Sequence, residues 1–118
     1  MDPLQLPPAR PCLLKEVPTL SLGSSVRVTG EVKEIQQAPK PLILLHDREA
    51  VLCVDAGSLV RPVQATPGML LQAVGELAAE GNQQMLRARI VRVVSGLDLE
   101  LYERCLAVRR QFEAEYLQ

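Results

Sequence analysis

Aromatic residues are what this chain has least of. Its 118 residues include no Trp, one Phe and two Tyr, and all three rings, Tyr102, Phe112 and Tyr116, fall near the C-terminus. Everything before them must build a core from Val, Leu, Ile and Met, and offers no ring on which a nucleobase could stack. Histidine occurs once, and the three cysteines, Cys12, Cys53 and Cys105, share no CxxC spacing. Neither a zinc site nor a disulfide framework is expected, and a reducing, intracellular setting is. No apolar stretch approaches the roughly 18 residues of a membrane span, and the N-terminus lacks the layout of a signal peptide. A soluble chain that is not exported by that route is the expectation. Excess charge is missing too: 13 Lys and Arg against 14 Asp and Glu leave a net charge of −1. Bulk attraction to nucleic acid or anionic lipid is excluded, so any such contact would need a local patch.

The groups that catalysis needs are equally scarce. There is no glycine-rich phosphate loop and no nucleophile motif. His46 beside Asp47 could be drawn as a base with its orienter, but both fall in the turn expected between two strands. Cys53 alternates with Leu52 and Val54 in a strand and Cys105 lies among apolar helix positions, so both read as small hydrophobes. The expectation is a non-enzymatic protein with no catalytic residue, metal or cofactor.

What is present suits one domain: 47% of the residues are apolar and 23% charged. Five of the nine prolines (Pro3, Pro7, Pro8, Pro11, Pro18) lie in residues 1–18. That predicts an extended arm over 1–18, with the domain proper at 19–118 and Leu4, Leu6, Leu13 or Leu14 pinning parts of the arm to the core. From Ser25 to Ile35, Val26, Val28, Gly30 and Val32 alternate with Arg27, Thr29, Glu31 and Lys33, the period of a half-buried strand. Leu42–Leu45 and Ala50–Val54 read as a hairpin around His46-Asp47-Arg48-Glu49, and Leu59-Val60 as a short connection of one helical turn ending before Arg61-Pro62. Met69–Leu77 and Met85–Val94 complete five strands. The last alternates Leu86, Ala88 and Ile90 against Arg87 and Arg89, then shifts register around Val91 to bring Val93 inward. Gly30 and Gly75, inside strands, mark bulges or bends.

From Leu97 to Leu117 the period changes to that of a helix, with Asp98 as the expected N-cap. Leu97, Leu101, Cys105, Val108, Phe112 and Tyr116 fall in one arc, and Leu99, Tyr102, Leu106 and Leu117 in an adjoining one. That is about twice the apolar width one buried face requires. Five strands, internal glycines and a terminal helix predict a mainly β protein, a five-stranded barrel of the oligonucleotide/oligosaccharide-binding (OB) type with a C-terminal α-helix. A seven-stranded sandwich would be hard to fit before residue 95. Two surfaces follow. Arg27 and Lys33 on the first strand and Arg87 and Arg89 on the fifth, taken as neighbours in the barrel, form a modest basic patch for phosphates. The helix, carrying every aromatic, predicts a partner site on the arc left uncovered.

The segments VLCVDAGSLVRP, PGMLLQAVGEL and LRARIVRVVSGLDLELYERCLAVRRQF, within Val51–Phe112, resemble the smallest (Ten) subunits of the CST telomere complex, which are single OB-fold proteins. The likeness reaches back weakly to GSSVRVTGEV at Gly23–Val32. The smallest subunit of replication protein A shares the barrel and a helix opening with an aspartate, leucines and a tyrosine, and is the nearest confusable family. The resemblance implies a nuclear, telomeric subunit that pairs with the N-terminal OB domain of the Stn subunit. It also implies assembly with the Ctc subunit, and action of the complex on single-stranded telomeric DNA and on DNA polymerase alpha–primase. By position, Arg27 matches a basic residue of the family's first strand and Phe112 an aromatic late in its interface helix. Tyr102, Leu106, Arg109 and Tyr116 extend that surface by geometry. The family's helix end is more basic than Glu113-Ala114-Glu115-Tyr116. The alternatives are a replication protein A small subunit, or a self-sufficient single-strand-binding module using Arg27, Lys33, Arg87 and Arg89.

Overall fold

The valine alternation that opens at Ser25 forms a long, strongly bent strand on which the whole barrel closes. The computed structural model describes residues 9–94 and 99–116. In chain order it contains β1 (Arg10–Pro11), a 3-10 turn (Leu14–Thr19), β2 (Ser25–Gln36), β3 (Leu42–Asp47), β4 (Ala50–Asp55), β5 (Leu70–Glu80), β6 (Gln83–Val93) and α1 (Leu99–Tyr116). Residues 25–31 of β2 pair antiparallel with β5, and residues 31–36 pair antiparallel with β3. One strand thus serves two neighbours by bending near Glu31. β3–β4, β4–β6 and β6–β5 pairings complete the circuit. The result is the expected closed five-stranded barrel with a C-terminal helix, to which β1 adds a short parallel strand against β2.

The inward face is aliphatic: Val26, Val28, Ile43, Leu45, Val54, Leu71 and Leu86 are all essentially inaccessible to solvent. Two glycines let the backbones approach. At Gly75 a Cβ would collide with the Arg87 carbonyl, and the β5–β6 register slips there, between Val74 and Gly75. At Gly30 a Cβ would stand 2.9 Å from Leu14 Cδ1, so the missing side chain makes room for a leucine from the N-terminal segment.

Several sequence expectations are corrected. The arm expected over 1–18 is, across its described part, built into the domain. Pro11 pairs in β1, and Cys12, Leu14 and Val17 are buried in the core cluster. Leu14 pins the segment as expected, and Cys12 and Val17 join it in the core. The slip in β6 comes earlier than expected: Ala88 opposes Gly75 and Ile90 opposes Val74, so Arg89 is the extra residue. Val91 therefore turns toward the core, while Ile90 and Val93, both expected inside, are 55% and 41% exposed. The β3–β4 hairpin is tighter than expected, its loop reduced to Arg48 and Glu49, with Arg48 at φ +58°. His46 and Asp47 belong to β3 and pair with Val51 and Ala50. Around Leu59 there is a turn and no helix: the Leu59 amide donates to the Ala56 carbonyl at 3.2 Å, and the Gly57 amide to Asp55 Oδ1 at 2.8 Å. The expected N-cap Asp98, with Leu97 and Leu117, lies outside the described residues.

Candidate protein interface

α1 lies across the barrel and is fastened at two places. Toward its C-terminal end, Arg110 donates through Nη1 to Glu16 Oε2 at 2.8 Å and through Nη2 to Glu16 Oε1 at 3.1 Å and the Pro11 carbonyl at 2.8 Å. Glu16 Oε1 also accepts the Leu13 amide at 2.8 Å. The Arg110 guanidinium holds the Glu16 carboxyl below the usual carboxylate range despite its partial burial, and Glu16 in turn raises Arg110. Toward the N-terminal end, Glu103 stands 3.4 Å from Arg48. A hydrogen bond with Asp47 pushes the Glu103 carboxyl up. Between the two fastenings Leu106 is buried, at 7% exposure, and Tyr102 is half-buried with its hydroxyl enclosed.

The opposite side of the helix is apolar and open to solvent. Leu101, Val108 and Phe112 are 50%, 66% and 54% exposed, and Cys105 is exposed between them. The spacing 101, 105, 108, 112 is the i, i+4, i+7, i+11 seam that a second helix or a barrel wall can meet. Arg104 and Arg109 line the same surface. Arg109 reaches Glu113 on its own helix at 3.0 Å, an exposed pair of small worth.

The five helix residues expected to meet a partner are therefore divided. Phe112 and Arg109 lie on the open side. Leu106 is covered by the barrel, and Tyr102 is half-buried with its hydroxyl turned inward, so both face this chain's own barrel. The side chain of Tyr116 lies outside the described positions. Arg104 was missed, and Leu101, Cys105 and Val108, although readable as one arc, were not singled out.

The four expected phosphate contacts do not converge. β5 lies between β2 and β6, so the first and last long strands are not neighbours, contrary to expectation. Arg89 is spent on Glu76 at 2.8 Å and Ser25 at 2.7 Å. Arg87 stands in register between Asp55 and Glu76. Arg27 is half-buried with an enclosed Nε, and Lys33 is exposed at the β2 bulge, about 20 Å along the strand by strand rise. Sequence reading missed Arg92, whose Nε and Nη2 donate to Gln72 Oε1 at 3.1 and 2.8 Å, while Gln72 Nε2 donates to Thr29 Oγ1 at 3.3 Å. That cross-strand ladder buries Gln72 and Thr29 on the outer face. Among the described residues no group of His, Cys, Asp and Glu could hold a metal ion, and no helix is long and apolar enough to cross a membrane.

Comparison with known proteins gives concordant matches. Residues 5–116 match the family model described as a telomere-capping, CST complex subunit. The chain is 31% identical over 117 residues to CST complex subunit TEN1 of Arabidopsis thaliana, covering 94% of this chain and 91% of that one. Among solved structures it is similar to a chain of the S. pombe Stn1–Ten1 complex, with a TM-score of 0.75 at 17% identity over 92% of this chain and 98% of that one. It is also similar to U. maydis replication protein A bound to single-stranded DNA, with a TM-score of 0.64 at 14% identity over 95% and 98% of the two chains. At these identities the solved structures speak to the fold.

Proposed function

Because this chain belongs to the family of telomere-capping CST complex subunits, we propose that it is a non-catalytic pairing subunit whose α1 seam docks the OB domain of an Stn-type partner. The observation that carries this reading is the helix with two apolar sides. One is closed over the barrel by Leu106 and the Arg110–Glu16 pair, and the other presents Leu101, Cys105, Val108 and Phe112 to solvent. A row of aliphatic side chains with one ring, edged by arginines, has the composition of an interface core. Through that pairing the chain joins the Ctc subunit in the nucleus at telomeres. It supports the complex in holding single-stranded telomeric DNA and in fill-in synthesis with DNA polymerase alpha–primase. Its own DNA contact is minor, since Arg27, Lys33, Arg87 and Arg89 are dispersed or offset by Asp55 and Glu76.

Co-expression with the OB domain of an Stn-type subunit tests the pairing. The two chains should co-purify, and Phe112→Ala should weaken the pair by about 2 kcal/mol, roughly thirtyfold. Failure to co-purify, or an unchanged affinity in Phe112→Ala, removes the reading. Micromolar or tighter binding of an oligonucleotide by the chain alone at physiological salt would favour a self-sufficient DNA-binding module instead.

A further inference from the structure

Strand β6 outlasts its neighbour. β4 covers it only through Cys53–Met85, Val54–Leu86 and Asp55–Arg87, and β4 ends at Asp55. Beyond Arg87 no strand among the described residues pairs with that side of β6. The phase of the far edge follows from its other neighbour. The Val94 amide donates to the Leu70 carbonyl at 3.0 Å, so by antiparallel alternation Arg92 and Ile90 turn their backbone groups to β5, and Val91 and Val93 turn theirs outward. A cavity of about 320 Å³ lies between this edge and the connection through Val60 and Arg61. Val60, Ile90 and Val93 expose apolar surface there. Among the described residues Arg61, Arg89 and Arg92 are its charged lining and no carboxylate lines it.

We propose that this edge, from Val91 to Val93, docks an extended peptide carrying aliphatic and acidic side chains, which adds to β6 as a further strand. An outward row of alternating amides and carbonyls is complementary to another polypeptide backbone. Among the described residues Arg61 forms no ion pair and Arg92 is bound to the neutral Gln72 alone, so both guanidinium charges remain for carboxylates. Single-stranded nucleic acid fits less well. Its phosphates only accept hydrogen bonds, which leaves the Val91 and Val93 carbonyls unmatched, and among the described residues no aromatic ring lines the cavity for its bases. The proposal is independent of the α1 seam.

The test uses the full-length chain and a fluorescein-labelled heptapeptide of alternating aspartate and valine. Anisotropy should show saturable binding, and the Val91 and Val93 amides should shift and exchange more slowly with solvent. The same peptide N-methylated at alternate residues, which cannot pair with a strand, should bind at least about tenfold more weakly, as should the native peptide to Arg61→Glu. Phe112→Ala should leave the affinity unchanged. The proposal fails if the heptapeptide does not saturate, if N-methylation has no effect, or if oligothymidylate displaces the peptide from these amides with higher affinity.

Discussion

The two sides of α1 are built from similar residues and have opposite fates. Leu99, Tyr102 and Leu106 with Arg110 form one side, and Leu101, Val108 and Phe112 with Arg109 form the other. The first meets Pro11, Glu16 and the β3–β4 hairpin, and its arginine holds a partly enclosed carboxylate. The second is open, and its arginine pairs along its own helix. Apolar periodicity sets how many faces a helix has. What lies across from each face decides whether it stabilises this chain or recognises another.

The difference can be broken or sharpened by substitution. Leu106→Ala should cost the isolated chain about 2–3 kcal/mol in a denaturant titration, the range for a buried leucine. Phe112→Ala should leave that stability within about 0.5 kcal/mol while lowering partner affinity by about 2 kcal/mol. Equal destabilisation by the two variants would erase the distinction. Glu16→Gln should cost about 1 kcal/mol, because it removes the charge from the hydrogen bonds that hold Arg110. Its cost should also depend on pH. The Glu16 carboxyl is lowered in the folded state, so its contribution is whole above about pH 4.5 and is lost as pH falls through the lowered value. Glu103 is raised by Asp47, so its contribution is whole at low pH and is lost as pH rises through the raised value. Thermal melts between about pH 3 and 6 should therefore bring wild type and Glu16→Gln together as pH falls. The smallest effect belongs to Arg109→Ala, under about 0.5 kcal/mol on the isolated chain, since its exposed i,i+4 pair contributes little.

Much of this was legible in advance. The alternation of Val26, Val28 and Val32 marked the bent strand, and the two helix arcs marked a helix with more apolar surface than one face uses. What could not be read was adjacency. The placement of β5 between β2 and β6 is a long-range fact, and it dispersed a basic patch that looked coherent along the sequence. The identity of the covered helix face was hidden for the same reason, since it depends on Glu16 and Pro11 at the other end of the chain. Leu14 was readable as a pin, but prolines disguised Cys12 and Val17, whose burial serves a plug too short to show any period. The place of the β6 slip was set by Gly75 on the facing strand, so the sequence of β6 alone could not locate it.

The Arg110–Glu16 link joins positions 94 apart in a chain of 118. During synthesis the segment around Glu16 must wait for the 94 positions up to Arg110 before this contact can form, and contacts of long span carry a large closure entropy. The helix is therefore fully seated only once the Pro11–Glu16 segment and Arg110 have met. Its exposed seam acquires a fixed orientation at that same moment, so the proposed docking there would select chains whose folding is complete.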